Sequence, residues 1–309
     1  MNEMPRVKVL YIVGVGRSGS TILHNILGQI DQFFAVGEIR FLWDQGILEG
    51  RPCGCGEKIE TCETWSKVLA DAFGELHHEE IQRMADYNRR VRDRFSPFLF
   101  LPGHRQLIQS TLQPYITNIE KLYQSIQRQT GCRVIVDSSK SLFYAYILSL
   151  IPSIDLHIVH LVRDVRGVEY SLLKRKATGH ERLQRHNPVK GALTWVLLNG
   201  AIELLGKRIS RQHTMLRYED FVSAPKAKLY ELLTAIDAQD VPSPITDDNS
   251  VYLHPTHTVV GNGNRFRTGE IHLEADNLWQ QHLSNKDKLL VSSMTLPLLF
   301  KYNYLTHAP

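Results

Sequence analysis

Residues 9–28 read Val9-Leu10-Tyr11-Ile12-Val13, then Gly14-Val15-Gly16-Arg17-Ser18-Gly19-Ser20-Thr21, then Ile22-Leu23-His24-Asn25-Ile26-Leu27-Gly28. The first five form a continuous β-prone apolar run, as in a strand buried on both faces of a parallel sheet. Ile22, Leu23, Ile26 and Leu27 recur at helical spacing, so a helix begins at or near Ser20. Gly14, Gly16 and Gly19 punctuate the turn between them. Glycines let backbone N–H groups close on a ligand, and the unpaired N–H groups and dipole of a first helical turn favour an anion. The stretch therefore predicts a phosphate cradle. A nucleoside-triphosphate loop reads Gly-x4-Gly-Lys-Ser/Thr, its lysine reaching the β- and γ-phosphates. Here Gly14 and Gly19 fit, but Ser20 takes the lysine position and the basic residue, Arg17, lies inside the turn. Such a loop is poorly equipped for a γ-phosphate. On these residues alone, an ordinary glycine turn of another α/β protein is the competing reading.

The chain has 309 residues, of which 43% are hydrophobic and 22% charged, the balance of a globular protein. A net charge of +4 suits an anionic ligand and is too weak to argue for nucleic acid as a partner. No continuous apolar run approaches the roughly 18 residues of a membrane span. Residues 1–8 lead into a strand rather than a signal-peptide core, so a cytoplasmic protein without a membrane span is the default expectation.

Three of the four cysteines, Cys53, Cys55 and Cys62, lie within ten residues, and the fourth is Cys132. A Cys-x-Cys-x6-Cys spacing can bind zinc if a distant residue supplies a fourth ligand, or two of the thiols can pair as a disulfide. A complete zinc site usually shows four clear ligands, often as two Cys-x2-Cys pairs. The expected reading is a tight glycine loop of reduced, structural cysteines, with no metal.

Further along, Phe33 to Val36 reads as a short strand ending in Gly37-Glu38-Ile39-Arg40. Residues 64–129 are mostly helical, a helical insertion placed for acceptor binding or a lid. Arg133 to Val136 is a strand ending in Asp137-Ser138-Ser139-Lys140, and Leu156 to Val162 is another, ending in Arg163. Lys174 to Lys190 is basic and reads as a mobile loop. A long helix, a strand at His213–Arg217, residues 218–221 leading into another helix through Ile236, and two closing helices follow, with a glycine- and arginine-rich loop at Gly261–Gly269. Strands alternating with helices predict an α/β fold, a parallel β-sheet flanked by helices, taken as one domain over 1–309. Ligands of such sheets bind off the carboxyl ends of the strands. That rule gathers residues 14–21, Glu38, 137–140, 163–171 and the loop at 261–269 along one edge.

Arg17-Ser18-Gly19-Ser20-Thr21 resembles the 5′-phosphosulfate loop of sulfotransferases, in which a basic residue precedes Ser-Gly-Thr/Ser-Thr. Arg163 and Ser171, eight residues apart, are similar to that family's 3′-phosphate site, an arginine at a strand end and a serine about two helical turns on. Residues 217–221 and the loop carrying Arg265 and Arg267 resemble two further family segments. The resemblance runs with gaps from about residue 9 to 280, and is weakest over the cysteine loop and the helical insertion. It implies the P-loop-like sulfotransferase fold and 3′-phosphoadenosine 5′-phosphosulfate as donor. Gly16, Arg17, Ser18, Gly19, Ser20, Thr21, Arg163, Ser171, Arg265 and Arg267 would then contact the nucleotide. A donor with anions at both ends also agrees physically with two separate basic cradles and no γ-phosphate lysine.

Sulfuryl transfer needs in-line positioning, neutralisation of the equatorial oxygens and removal of the acceptor proton, by analogy with phosphoryl transfer. Arg17 would hold the 5′-phosphate and the leaving oxygen, and Lys140 is a candidate for the transferring sulfonate. Glu38, in Val-Gly-Glu-Ile-Arg, resembles the Gly-Glu segment of sulfotransferases with a glutamate base, such as the tyrosylprotein enzymes. His104, His254 and His257 are rival bases. The acceptor is a hydroxyl, or an amine, on a small molecule, carbohydrate, lipid or peptide. A P-loop small-molecule kinase and a non-catalytic nucleotide-binding module are the alternative classes.

Overall fold

The structure, a computed structural model, describes residues 6–91, 93–177, 187–210 and 212–305. Its centre is β1 (Val7–Val13), whose side chains alternate between two cores. Val9, Tyr11 and Val13 face one hydrophobic cluster, and Leu10 and Ile12 face the other. An uninterrupted apolar run is what a strand covered on both sides requires. β1 leads through the glycine turn into α1 (Ser20–Leu27) and then β2 (Phe33–Gly37). A seven-residue π-helical segment, Leu42–Leu48, follows, and then the cysteine loop.

The predicted helical insertion comprises α2 (Glu63–Phe73), α3 (His78–Arg90) and the long α4 (His104–Thr130), with a 3-10 segment at Asp93–Phe100. β3 (Val134–Lys140), α5 (Leu142–Ser149), β4 (Ile154–Val162), α6 (Val165–Ala177) and α7 (Pro188–Ile209) come next. Most of the basic segment read as a mobile loop, residues 178–186, lies outside the described residues. Its flanks are helical, since α6 runs to Ala177 and α7 starts at Pro188. α7 is long and apolar enough by length and composition to cross a membrane; here Ala192, Trp195, Ile202 and Leu205 are buried on one side of it. β5 (Gln212–Arg217) completes the main sheet.

The sheet is parallel throughout, in the order β2-β3-β1-β4-β5. From β1 the chain goes to the edge strand β2, steps back through β3, and then crosses β1 to run outward through β4 and β5, so β1 and β4 flank the point where the connections part in opposite directions. A ligand crevice is expected there, outside the carboxyl ends of the strands.

Beyond shifts of two or three residues at element ends, the structure departs from the sequence reading in three places. β3 does not turn at Asp137 but continues to Lys140 with a register irregularity against β1. The polar residues are tolerated because Asp137 accepts from the Ser139 amide at 2.8 Å, the Ser139 hydroxyl at 2.6 Å and the Tyr123 hydroxyl at 2.6 Å. Residues 218–221, read as leading into a helix through Ile236, are themselves helical, and the segment forms two helices, α8 (Tyr218–Ser223) and α9 (Pro225–Ala235). Pro225 lacks an N–H and drives Ala224 out of the helical region, to φ −139°. Finally, β6 (Ser250–Leu253) and β7 (Gly269–His272) form an antiparallel pair that the sequence reading missed. Val251, Leu253 and Ile271 of this pair join the core beside α1 and α9. The chain closes with α10 (Trp279–His282) and α11 (Asn285–Lys301).

Candidate functional site

A cleft of about 1050 Å³ opens at the carboxyl edge of the sheet. One wall is the β1–α1 turn. Gly14 lies so close to β4 that a Cβ there would overlap the Leu161 carbonyl oxygen. Gly19 caps α1 in the left-handed region at φ 91°, and a Cβ on it would strike the Tyr218 ring. Arg17 itself takes φ 74°, which an L-residue adopts only at a steric cost, so the surrounding contacts must hold it. Those contacts include its Nε, which donates to the Ser171 hydroxyl at 2.9 Å. Gly16, Arg17, Gly19, Ser20 and Thr21 all line the cleft. Ser18 lies beneath it, buried, with a hydroxyl that has no hydrogen-bond partner among the described residues.

Arg163, at the end of β4, has a side chain only 7% exposed. Its Nη1 donates to the Arg17 carbonyl at 3.1 Å and its Nη2 to the Asp276 carboxylate at 3.2 Å. The guanidinium carbon lies 4.5 Å from the centroid of the Tyr218 ring. The strand-end arginine and the α6 serine therefore form one contiguous group with Arg17 of the glycine turn, some 150 residues earlier.

Across the cleft, Glu38 follows β2 and its Oε1 is ion-paired with the Lys140 ammonium, both side chains being largely buried. Lys140 adopts φ 64° at the end of β3. The late loop brings Arg267 to the cleft, along with Gly261, Asn262 and Asn264. Asn264 is tied to α1 by the Asn25 amide, which donates to its carbonyl at 3.2 Å.

Arg265 departs from its expected place. Its guanidinium turns inward and donates to the carbonyls of Thr258 at 3.2 Å, Val259 at 3.3 Å and Pro52 at 2.9 Å. The residue is buried against Phe266 and does not line the cleft. A guanidinium carries five N–H donors, and the backbone carbonyls that pass close to it account for that orientation. Of the three histidine rivals, none lines the cleft. The His104 ring contacts the Leu101 carbonyl and Tyr146, the His254 ring lies tilted against Tyr252, and His257 sits among the cysteines.

One contributor, His24, escaped the sequence reading, and another, Asp137, was gathered at the sheet edge without a role. His24, buried on α1, accepts from the Gly37 amide at 2.9 Å through its Nε2, and so sets the backbone just before Glu38. Burial holds its pKa down to about 4, which keeps the ring neutral and able to accept. A polar residue inside the apolar run Ile22–Leu27 was the available signal. Asp137, whose carboxyl is pushed up to about 6 by burial, pins the bulged end of β3 that delivers Lys140. Together these groups give the cleft a cluster of donors suited to anions and a carboxylate–ammonium pair.

A family model described as the sulfotransferase family matches residues 10–242. No curated protein matches the sequence. Among solved structures, the chain is similar to the sulfotransferase domain from the olefin synthase of Synechococcus PCC 7002, with a TM-score of 0.52 and 18% identity, covering 95% of this chain and 96% of that one. It is also similar to a sulfotransferase domain from the curacin biosynthetic pathway, with a TM-score of 0.48 and 17% identity, covering 94% and 98%. The family match takes in the β1–α1 turn, Glu38, Lys140 and Arg163, and on it the chain belongs to the sulfotransferase family.

Proposed function

We propose that the protein transfers a sulfuryl group from 3′-phosphoadenosine 5′-phosphosulfate to an acceptor hydroxyl. The observation that supports this reading is the shared cleft, which joins the Arg17 turn, the Arg163–Ser171 group and the Glu38–Lys140 pair. The fit to the donor is chemical. Two buried or half-buried arginines and a helix N-terminus answer anions at two points, and Ser20 stands where a triphosphate site needs lysine. The first turn of α1, Ser20 to Ile22, lines the cleft, where a helix N-terminus favours a phosphate.

When bound, the donor supplies the electrophilic sulfuryl group and the phosphate leaving group. Arg17 and the turn amides would hold the 5′-phosphate, and Arg163 with Ser171 the 3′-phosphate. Arg267 faces the same cleft from the late loop and would add positive charge at its rim. The Lys140 ammonium would neutralise the sulfonate oxygens. Its move from Glu38 toward that anion would free the carboxylate to take the acceptor proton.

A thermal-shift comparison tests the donor. A ligand bound only by the folded state at 100 times its Kd stabilises by about 2.7 kcal/mol. 3′-Phosphoadenosine 5′-phosphate should raise the Tm clearly, ATP much less, and Arg163→Ala should reduce the first shift. Equal shifts from both nucleotides, or magnesium-dependent ATP turnover, would favour the kinase reading instead.

A further inference from the structure

The fold brings His257 to the three clustered cysteines, 195 residues from Cys62 in sequence. The sulfurs of Cys53, Cys55 and Cys62 and a ring nitrogen of His257 all lie within 4.8 Å of one another. The Cys55 and Cys62 sulfurs are 3.7 Å apart. His257 Nδ1 lies 3.3 Å from the Cys62 sulfur and 3.9 Å from that of Cys53. A tetrahedral zinc with Zn–S of about 2.3 Å and Zn–N of about 2.0–2.1 Å has S···S edges of roughly 3.8 Å and S···N edges of roughly 3.6 Å. The measured separations bracket those edges. A disulfide would need two of the sulfurs at about 2.05 Å.

We propose that Cys53, Cys55, Cys62 and His257 form a closed, structural Cys3His zinc site. Neutral thiols are weak hydrogen-bonding groups, so three of them facing an imidazole gain little from one another. A divalent ion converts the same four groups into strong ligands. Three sulfurs and one nitrogen in a tetrahedral set select zinc among the common metals, and four protein ligands leave no open position for chemistry.

The surroundings fit a ligand site. The Glu63 carboxylate is close enough to act electrostatically on His257. The Trp65 indole N–H donates to the His257 carbonyl at 2.7 Å and fixes that residue from behind. Gly54 permits the close approach of the two segments, because a Cβ there would overlap the Thr256 carbonyl oxygen. Its amide donates to the Thr258 carbonyl at 2.8 Å.

The ion would staple the cysteine loop to residues 256–260. That segment in turn carries the cleft, since the Val259 amide donates to the Val36 carbonyl at 2.9 Å and the Glu38 amide to the Val260 carbonyl at 3.0 Å. Zinc would thus stabilise the backbone around Glu38 without contacting any reactant. The site stands independently of the donor assignment.

Elemental analysis of the full chain, purified without a chelating resin, should find one zinc per molecule. Cobalt(II) added to the reduced, metal-stripped protein should give intense tetrahedral bands with thiolate charge-transfer absorption, bleached by one equivalent of zinc. Cys62→Ser and His257→Ala should lose stoichiometric metal, while His257→Cys, which keeps four ligands, and Cys132→Ser should retain it. Should Cys62→Ser not fold, the wild-type cobalt titration and His257→Cys still decide. A metal-free isolated chain whose cobalt spectrum lacks tetrahedral bands would overturn the proposal, as would a Cys55–Cys62 disulfide found by mass spectrometry.

Discussion

Replacing Glu38 by Gln separates a proton acceptor from a structural carboxylate. Gln keeps the shape and an amide oxygen for Lys140 but cannot take a proton. The side chains of Glu38 and Lys140 are 14% and 22% exposed, so their pairing is partly screened. Since the amide retains part of the contact, the stability cost is roughly 1–2 kcal/mol. A domain stable by about 5–15 kcal/mol remains almost wholly folded after that loss. General-base assistance is worth about 10²–10⁴-fold in rate, or roughly 2.7–5.5 kcal/mol of barrier. The kinetic effect therefore exceeds anything that a change in folded fraction can produce. Melting temperature, affinity for 3′-phosphoadenosine 5′-phosphate and turnover should be measured on one preparation. The expected result is a Tm lower by a few degrees, unchanged nucleotide affinity and turnover reduced at least about 10²-fold. Turnover near wild type would refute the assignment. So would a fall in turnover matched by an equal fall in nucleotide affinity, which would make Glu38 part of the binding wall.

Two further predictions follow from groups around this pair. Lys140→Gly and Lys140→Ala should both lose turnover. Lys140→Gly should be the more stable by about 1 kcal/mol, because φ 64° suits glycine and strains alanine; equal stabilities by chemical denaturation would refute the backbone argument. His24, His157 and His160 are each held down to about 4 by burial. Their folded pKa values lie below the unfolded 6.5, so the unfolded chain binds more protons between pH 6.5 and 4, and their contribution is lost as pH falls through that window. Asp137, pushed up to about 6, acts oppositely, its contribution being lost as pH rises from its unfolded value through 6. Three such groups outweigh one, so chemical denaturation at pH 7 and pH 5 should show stability falling at pH 5 by an amount on the order of a few kcal/mol. A constant or rising stability would contradict the assigned burial of these rings.

Local chemistry determined a good deal here. The apolar run of β1, the glycines after it and the helical spacing from Ile22 are short-range signals, and they identify the strand, the glycine turn and the helix without any knowledge of neighbours. The missing loop lysine and the Arg163–Ser171 spacing are likewise contained within single segments, and they suffice to suggest the family to which the chain belongs. Where one residue dictates backbone geometry, as Pro225 does in dividing α8 from α9, the signal was also present in the sequence.

Tertiary structure decided whatever depends on the direction of a side chain or on a partner distant in sequence. Arg265 and Arg267 are equivalent on paper, yet one satisfies the carbonyls of 52, 258 and 259 while the other faces the cleft, because buried carbonyls must find donors wherever the loop happens to pass. The extension of β3 through Asp137-Ser138-Ser139 depends on a hydroxyl from α4, which no local propensity contains. His24 acts on Gly37 only because α1 and β2 are packed side by side. The fourth donor beside the cysteines comes from residue 257, brought there by the segment that hydrogen-bonds to β2. Spacing reports chemistry within a few turns or strands of chain, whereas contacts across some two hundred residues are set by how the sheet and its coverings close on one another.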